Sequence, residues 1–188
     1  PVPEVLGRYQ VAEELGRGAM GVVYLAVDPV IARPVAIKVV RESELLAPAE
    51  VERFQARFRQ EAEAAGRLSH PDIVRVYDIG PNFMVMEFID GRAVGLIVKR
   101  CGARKVIWPI DFAVCVTRAL LDALGYAHRA TDPAGRPLNI VHCDVSPSNF
   151  FVSRSGDLKL GDFGVARSRI EGGQGQVMGK PYYLSPEA

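Results

Sequence analysis

Apolar residues dominate three short runs, YQVAEEL from Tyr9, VVYLAVD from Val22 and PVAIKVV from Pro34, set off from one another by Gly16, Gly18, Gly21, Pro29 and Pro34. Runs rich in β-branched residues and bounded by glycine and proline predict a meander of three strands. From Ala49 to Leu68 the period changes. Val51, Phe54, Phe58, Ala62, Ala65 and Leu68 recur at steps of three or four, which predicts an amphipathic helix. His70-Pro71 stops it. The runs IVRVYDI and FMVMEFI follow, joined by Gly80-Pro81-Asn82, and predict a hairpin. Pro109 then opens a second helical pattern that reaches Arg129 through Phe112, Val116, Leu120, Leu124 and Ala127. Thr131 to Pro137 reads as a loop, and the short apolar segments Phe150–Val152 and Leu158–Leu160 lie beyond it.

The pattern divides the chain near Glu87 to Gly91, with strands dominating before and helices after. It predicts an α+β fold of one domain in two lobes. The 188 residues, 48% hydrophobic and 24% charged, have the composition of a folded globular chain. A net charge of +1 gives no electrostatic reason to wrap nucleic acid or an anionic membrane, so any anionic ligand must be held by local geometry. Cys101, Cys115 and Cys143 fit neither a zinc pattern nor a disulfide framework, which predicts reduced thiols and a cytoplasmic location. The most apolar stretch, Val106 to Ala127, is interrupted by Pro109, Asp111, Arg118 and Asp122 and is no membrane span.

Candidate chemistry sharpens this picture. Gly16-Arg17-Gly18-Ala19-Met20-Gly21-Val22-Val23 lies between two predicted strands, whereas a dinucleotide fingerprint lies between a strand and a helix. Glycines there let backbone N–H groups approach phosphate oxygens; the alternative is an ordinary hairpin turn. Lys38 is a charge inside an apolar strand and calls for an anionic partner, unless it is an edge lysine reaching water. On the following helix Glu61 flanks the apolar stripe while Glu63 points away from it, so Glu61 is the candidate partner. His142-Cys143-Asp144-Val145-Ser146-Pro147-Ser148-Asn149 and Asp162-Phe163-Gly164 add carboxylates and a carboxamide, the hard oxygen ligands that suit Mg²⁺ shared with phosphates.

A glycine loop, strand lysine, helix glutamate, catalytic loop, Asp-Phe-Gly and Ser-Pro-Glu, in that order from Tyr9 to Ala188, resemble a protein kinase catalytic domain of the bacterial Ser/Thr type. The resemblance implies a bilobal kinase-like fold, with an N-terminal lobe over 9–87, a hinge at 88–91 and a helical, incomplete C-terminal lobe over 92–188. It implies ATP and Mg²⁺ as cofactors and a protein substrate offering Ser or Thr. Lys38 would hold the α and β phosphates and pair with Glu61; Asp144 would take the substrate hydroxyl proton; Asn149 and Asp162 would bind Mg²⁺. Gly16, Arg17, Gly18, Ala19, Met20 and Gly21 would cover the phosphates. Val23, Ala36 and Phe151 match the positions around the adenine, and Met86, Glu87, Phe88 and Ile89 match the hinge that hydrogen-bonds its edge. His142 and Phe163 would be packing elements. Room is left for a kinase-domain dimer, and none of the chain's segments implies membrane or nucleic-acid contact.

Three departures stand out. Cys143 replaces the usual arginine that answers an activation-loop phosphate, and the hydroxyls that follow, Ser168, Tyr182, Tyr183 and Ser185, include no threonine. Activity is therefore expected not to depend on phosphorylation of that loop. Ser146 stands where the family has a lysine, and Gly179-Lys180 stands where it has Gly-Thr, so Lys180 is expected to reach Asp144 and the transferring phosphate in its place. The resemblance stops after Ser185-Pro186-Glu187, which reads as a fragment of a longer catalytic domain. The alternative function is a pseudokinase, a nucleotide-binding or scaffolding module.

Overall fold

The computed structural model describes residues 2–18, 21–40 and 48–163, and within 48–61 the side chains of 48–51, 53, 54, 57, 60 and 61 lie outside what is described. The chain divides into two compact units, one made of Pro1–Arg67 and Arg75–Phe88, the other of Leu68–Val74 and the residues from Ile89 onward. Leu68–Val74, which the composition places in the first part, belongs with the second unit.

The first unit is an antiparallel sheet with one helix. Its elements are β1 (Val5–Leu6), β2 (Tyr9–Gly18), β3 (Gly21–Asp28), β4 (Arg33–Val40), α1 (Pro48–Gly66), β5 (Val76–Ile79) and β6 (Phe83–Glu87), and the strand order is β1-β2-β3-β4-β6-β5. The expected meander extends further than its apolar run. Gly16 pairs with Val23, Arg17 with Val22 and Gly18 with Gly21, so the glycine segment continues the ladder after two register shifts instead of forming a wide loop. One sheet face buries Tyr9, Ala26, Val35, Ile37, Phe83 and Val85. The other joins Val40 and Met84 to Phe58 and Ala62 of α1, the helix stripe expected from the period.

The second unit carries β7 (Gly91–Ala93), α2 (Val94–Ala103), α3 (Ile110–Arg129), β8 (Phe150–Ser153) and β9 (Leu158–Leu160), with β8 between β7 and β9. On α3, Ala119, Ala123 and Ala127 are buried one turn apart, and Ile140, His142, Phe150, Leu160 and Phe163 fill the interior of the unit. The expected strand over Ile73–Ile79 is split: Val76–Ile79 stays in the first sheet, while Ile73 bridges Leu160 and the Val74 N–H donates to the Leu160 carbonyl at 2.9 Å. Among the described residues no helix is long and apolar enough to cross a membrane.

Candidate active site

In the first unit Lys38 sits on β4, an interior strand, opposite Val23 on β3 and Met84 on β6, and is only 8% exposed. An edge lysine reaching into water is thereby ruled out. Side chains two apart on a strand, or directly opposite across a ladder, share a face. Ala36, Lys38 and Val40 therefore lie on one face with Val23, Met84 and Met86, and this is the face on which α1 packs through Phe58 and Ala62. Glu61 precedes Ala62 on α1, with its side chain outside the described residues.

The three glycines of the loop differ in what they do. Gly21 has φ +145°, and a Cβ there would stand 2.0 Å from the Val39 carbonyl oxygen, so the β3–β4 ladder itself requires glycine. A Cβ on Gly16 or Gly18 would meet nothing within 4 Å. Those two are bare toward open space, which fits the close approach of a phosphate. Ala19 and Met20 lie outside the described residues. Met86 and Glu87 end β6, paired with Ala36 and Val35, and Phe88 and Ile89 follow it with no regular structure.

In the second unit a polar assembly holds Asp144. Asn149 is buried and its Nδ2 donates to both the Asp144 carbonyl oxygen (2.8 Å) and the Asp144 Oδ2 (2.9 Å). The Asn149 N–H donates to the Ser146 carbonyl, closing the loop, and the Gly161 N–H donates to the Asn149 carbonyl, tying the loop to the segment that carries Asp162. His142, 1% exposed, links the same two segments from beneath. Its Nδ1 accepts the Asp144 N–H at 3.3 Å and its Nε2 bonds the Gly161 carbonyl at 2.9 Å, which fixes the tautomer with the proton on Nε2. Its ring meets Phe163 edge-on at 4.7 Å. Burial holds the imidazole below its ordinary pKa despite the Gly161 carbonyl and the nearby Asp162 and Asp144 carboxylates, so it stays neutral. His142 is thus the packing element expected from the sequence and also a hydrogen-bonding hub, which the sequence did not reveal.

Two strained backbone positions lie here. Cys143 (φ 56°) and Asp162 (φ 58°) are non-glycine residues in the left-handed region, which costs of order 1–3 kcal/mol each and persists only where surrounding contacts enforce it. The Cys143 thiol is pushed up in pKa by burial, which suits an inert side chain and not a nucleophile. Phe151 lies on β8 between Ala93 and Lys159, and its ring packs 3.0 Å from where a Gly161 Cβ would stand.

Among the described residues no cluster of three or more His, Cys, Asp or Glu forms a metal cage. The donor set suits a shared Mg²⁺ instead. Asn149 commits its Nδ2 to Asp144 and keeps Oδ1 as a hard oxygen, while Asp162 supplies a carboxylate from the segment bonded to it. A cation so held keeps positions for phosphate oxygens and water.

A family model described as the protein kinase domain matches residues 9–188. The chain belongs to the protein kinase family. A probable serine/threonine-protein kinase of Streptomyces coelicolor is 38% identical over 194 residues, covering 96% of this chain and 26% of that protein. The serine/threonine-protein kinase PrkC of Bacillus subtilis is 34% identical over 190 residues, covering 97% and 27%. The chain spans about a quarter of the length of these curated relatives. Among solved structures, the PknI kinase domain of Mycobacterium tuberculosis superposes with a TM-score of 0.68 at 30% identity, over 88% of this chain and 64% of that one. Kinase-family membership implies use of ATP and a divalent metal. Lys180, and with it the residues from 164 to 188, lies outside the described residues.

Proposed function

We propose that this kinase-family chain transfers the γ-phosphate of ATP to Ser or Thr hydroxyls of a protein substrate, with Asp144 accepting the hydroxyl proton. The observation that carries the reading is the pair of hydrogen bonds that Asn149 Nδ2 donates to the Asp144 carbonyl and Oδ2, which presents the carboxylate in one orientation. A general base must be aimed before its basicity matters. Asn149 does this with its Nδ2, while its Oδ1 and the Asp162 carboxylate would hold Mg²⁺. When bound, Mg²⁺ would neutralise charge on the phosphates. Lys38 would add a second positive charge from the first unit, its position set by the interior strand. Gly16 and Gly18 leave their backbone open to phosphate oxygens. Val23 and Ala36 supply apolar surface on the Lys38 face for the adenine, Phe151 supplies it from β8, and Met86 to Ile89 offer backbone groups to its edge. Phosphoryl transfer asks for positioning and charge neutralisation more than for covalent chemistry, and these residue types supply both.

Lys180 remains our candidate for the cation missing at Ser146. Lys180→Met is expected to lower turnover about 10²-fold; unchanged turnover removes it from the site. Ser146 itself is buried and belongs to the loop that Asn149 closes.

The test of the reading is phosphoamino-acid analysis after incubating the full-length protein with Mg·ATP and a general protein substrate, beside Asp144→Asn. Phosphoserine or phosphothreonine made by the wild type and absent from the variant is the expected result. ATP binding without transfer in the wild type would favour a nucleotide-binding scaffold instead.

A further inference from the structure

Between Asp90 and Asp111 the chain carries Arg92, Lys99, Arg100, Arg104 and Lys105 and no carboxylate, although the whole chain has a net charge of only +1. Four of these cations gather at the end of α2. At 100° per residue, Val94, Ile97 and Cys101 form the covered side of the helix, and Leu96, Lys99, Arg100 and Ala103 the exposed side. Lys99, Arg100, Arg104 and Lys105 are all exposed, and among the described residues none meets a carboxylate. Arg118, Arg136 and Arg154 elsewhere in the unit each do, with Asp122, Asp132 and Asp90.

Two features make the cluster locally unfavourable. Arg100 and Arg104 are like charges four residues apart, a spacing at which they repel. Lys105 has φ 54° and occupies the left-handed position that ends the helix, where the Val106 N–H returns to the Cys101 carbonyl at 2.9 Å and the Lys105 N–H to the Gly102 carbonyl at 3.1 Å. Glycine is the residue that this cap favours. A helix-dipole role accounts for Arg100 in the last turn but not for a strained lysine one turn later.

The other end of α2 touches the catalytic loop. The Gly95 N–H donates to the Pro147 carbonyl at 2.7 Å, three residues beyond Asp144, and a Cβ on Gly95 would stand 3.3 Å from the Pro147 carbonyl carbon. The helix is therefore seated on the loop at its start and carries the cations at its end. Its rise from Gly95 to Lys105 is about 15 Å, the span of roughly five extended residues. Just past the cations, Val106 and Ile107 are 53% and 90% exposed.

We propose that the basic end of α2, Lys99, Arg100, Arg104 and Lys105 with Ile107 beside them, binds an acidic, partly apolar segment of the protein substrate and selects substrates with carboxylates about five residues from the acceptor hydroxyl. This specificity rests on the kinase reading of Asp144. The charge complementarity is local, so it coexists with the near-neutral chain. It also gives the repelling arginines and the strained lysine the anionic counterpart that the described residues lack.

The test compares two peptides of one sequence around a serine, one carrying three Glu residues and one Leu four to six positions away, the other Gln in place of Glu. With the full-length protein at low salt, the acidic peptide is expected to show about tenfold higher kcat/KM, mostly through KM, and to lose the advantage at high salt. Arg100→Glu with Arg104→Glu should abolish the difference while leaving turnover of the Gln peptide unchanged. Lys105→Gly should reduce the preference yet raise the thermal midpoint, an outcome that a merely structural lysine does not give. Fluorescence anisotropy of both peptides reads the same preference without turnover: an acidic preference in binding with no transfer sinks the kinase reading alone. Equal handling of both peptides, or a preference that survives charge reversal, overturns the proposal. So does wild-type binding to phosphatidylserine vesicles, lost on charge reversal, with no peptide preference, which would assign the patch to an anionic lipid surface.

Discussion

In the first unit the candidate cation is placed by backbone. Lys38 occupies an interior strand whose register is fixed on both sides, and its neighbours on the shared face, Val23, Ala36, Met84 and Met86, are apolar. In the second unit the candidate base is placed by side chains. Asp144 is held by Asn149, the two segments that carry Asp144 and Asp162 are tied by the Gly161–Asn149 bond, and His142 braces both from below. A strand ladder tolerates changes of side chain because each register pair is a backbone contact. A hydrogen-bonded loop does not, since removing one partner leaves the others buried and unpaired. The two halves of the candidate site should therefore fail differently.

The largest contrast is expected between Lys38→Met and Asn149→Ala in the full-length protein. Both should lower phosphoryl transfer by about 10²-fold or more, since each removes charge or positioning aimed at the reacting phosphate. Asn149→Ala should also reduce stability to denaturant by about 1–3 kcal/mol, because its loss strips the Asp144 carboxylate and carbonyl of their donor. Asn149→Ala with wild-type stability would show that the loop is held by something else.

Within the first unit the comparison sharpens at the glycines. Gly21→Ala drives a methyl into the Val39 carbonyl oxygen at a φ that alanine avoids, and should cost about 2–4 kcal/mol of stability. Gly18→Ala, with open space around it, should stay within about 0.5 kcal/mol while weakening ATP binding, as read by isothermal titration. Equal stability losses in the two variants would contradict the division into a structural and a phosphate-facing glycine.

A smaller effect separates the units by pH. His142 has its folded-state pKa lowered by burial, so the unfolded chain takes up the proton first. Its contribution is constant above the unfolded value near 6.5, and stability falls as pH drops below it, by up to about 1.4 kcal/mol per pH unit. The first unit has its counterpart at the alkaline end. Tyr9, buried and donating to Asp78 at 2.8 Å, has its phenol pushed up to about 12, so its contribution is intact below 10 and is lost as pH rises through 12. Denaturation across pH should flatten on the acid side in His142→Gln and on the alkaline side in Tyr9→Phe; each variant affecting the opposite limb would overturn these assignments.

Much of the fold was legible because its signals are local. Apolar, β-branched runs bounded by glycine and proline marked β2, β3, β4 and β6, and the three-to-four period marked α1 and α3. What was not legible depends on distant partners. β7 is three residues long and exists through pairing with β8, some sixty residues downstream. α2 begins at Ala93 without a side-chain cap and runs through Val-Gly-Leu-Ile-Val, a composition that favours strands, while its seat on Pro147 is supplied by tertiary contact. Ile73 and Val74 read as part of a strand until Leu160 claims them for the other unit. In the candidate site, residue type and order exposed Lys38, Asp144, Asn149 and Asp162. The bonds that tie the last three together, from the His142 ring to the Asp144 N–H and the Gly161 carbonyl and from the Gly161 N–H to the Asn149 carbonyl, use a backbone group each time and leave no mark in the pattern.

The central claim is that Asp144 and Asn149 act as one unit in phosphoryl transfer, and a double-mutant cycle on kcat tests it most directly. Transfer to a Ser-containing substrate would be measured for wild type, Asp144→Asn, Asn149→Ala and the double variant, with circular dichroism confirming that each is folded. Because part of what Asn149 does is aim the carboxylate, Asn149→Ala should slow Asp144→Asn by clearly less than the factor by which it slows the wild type, the remainder being its Oδ1 role. Losses that multiply, or wild-type transfer in Asp144→Asn, would contradict it.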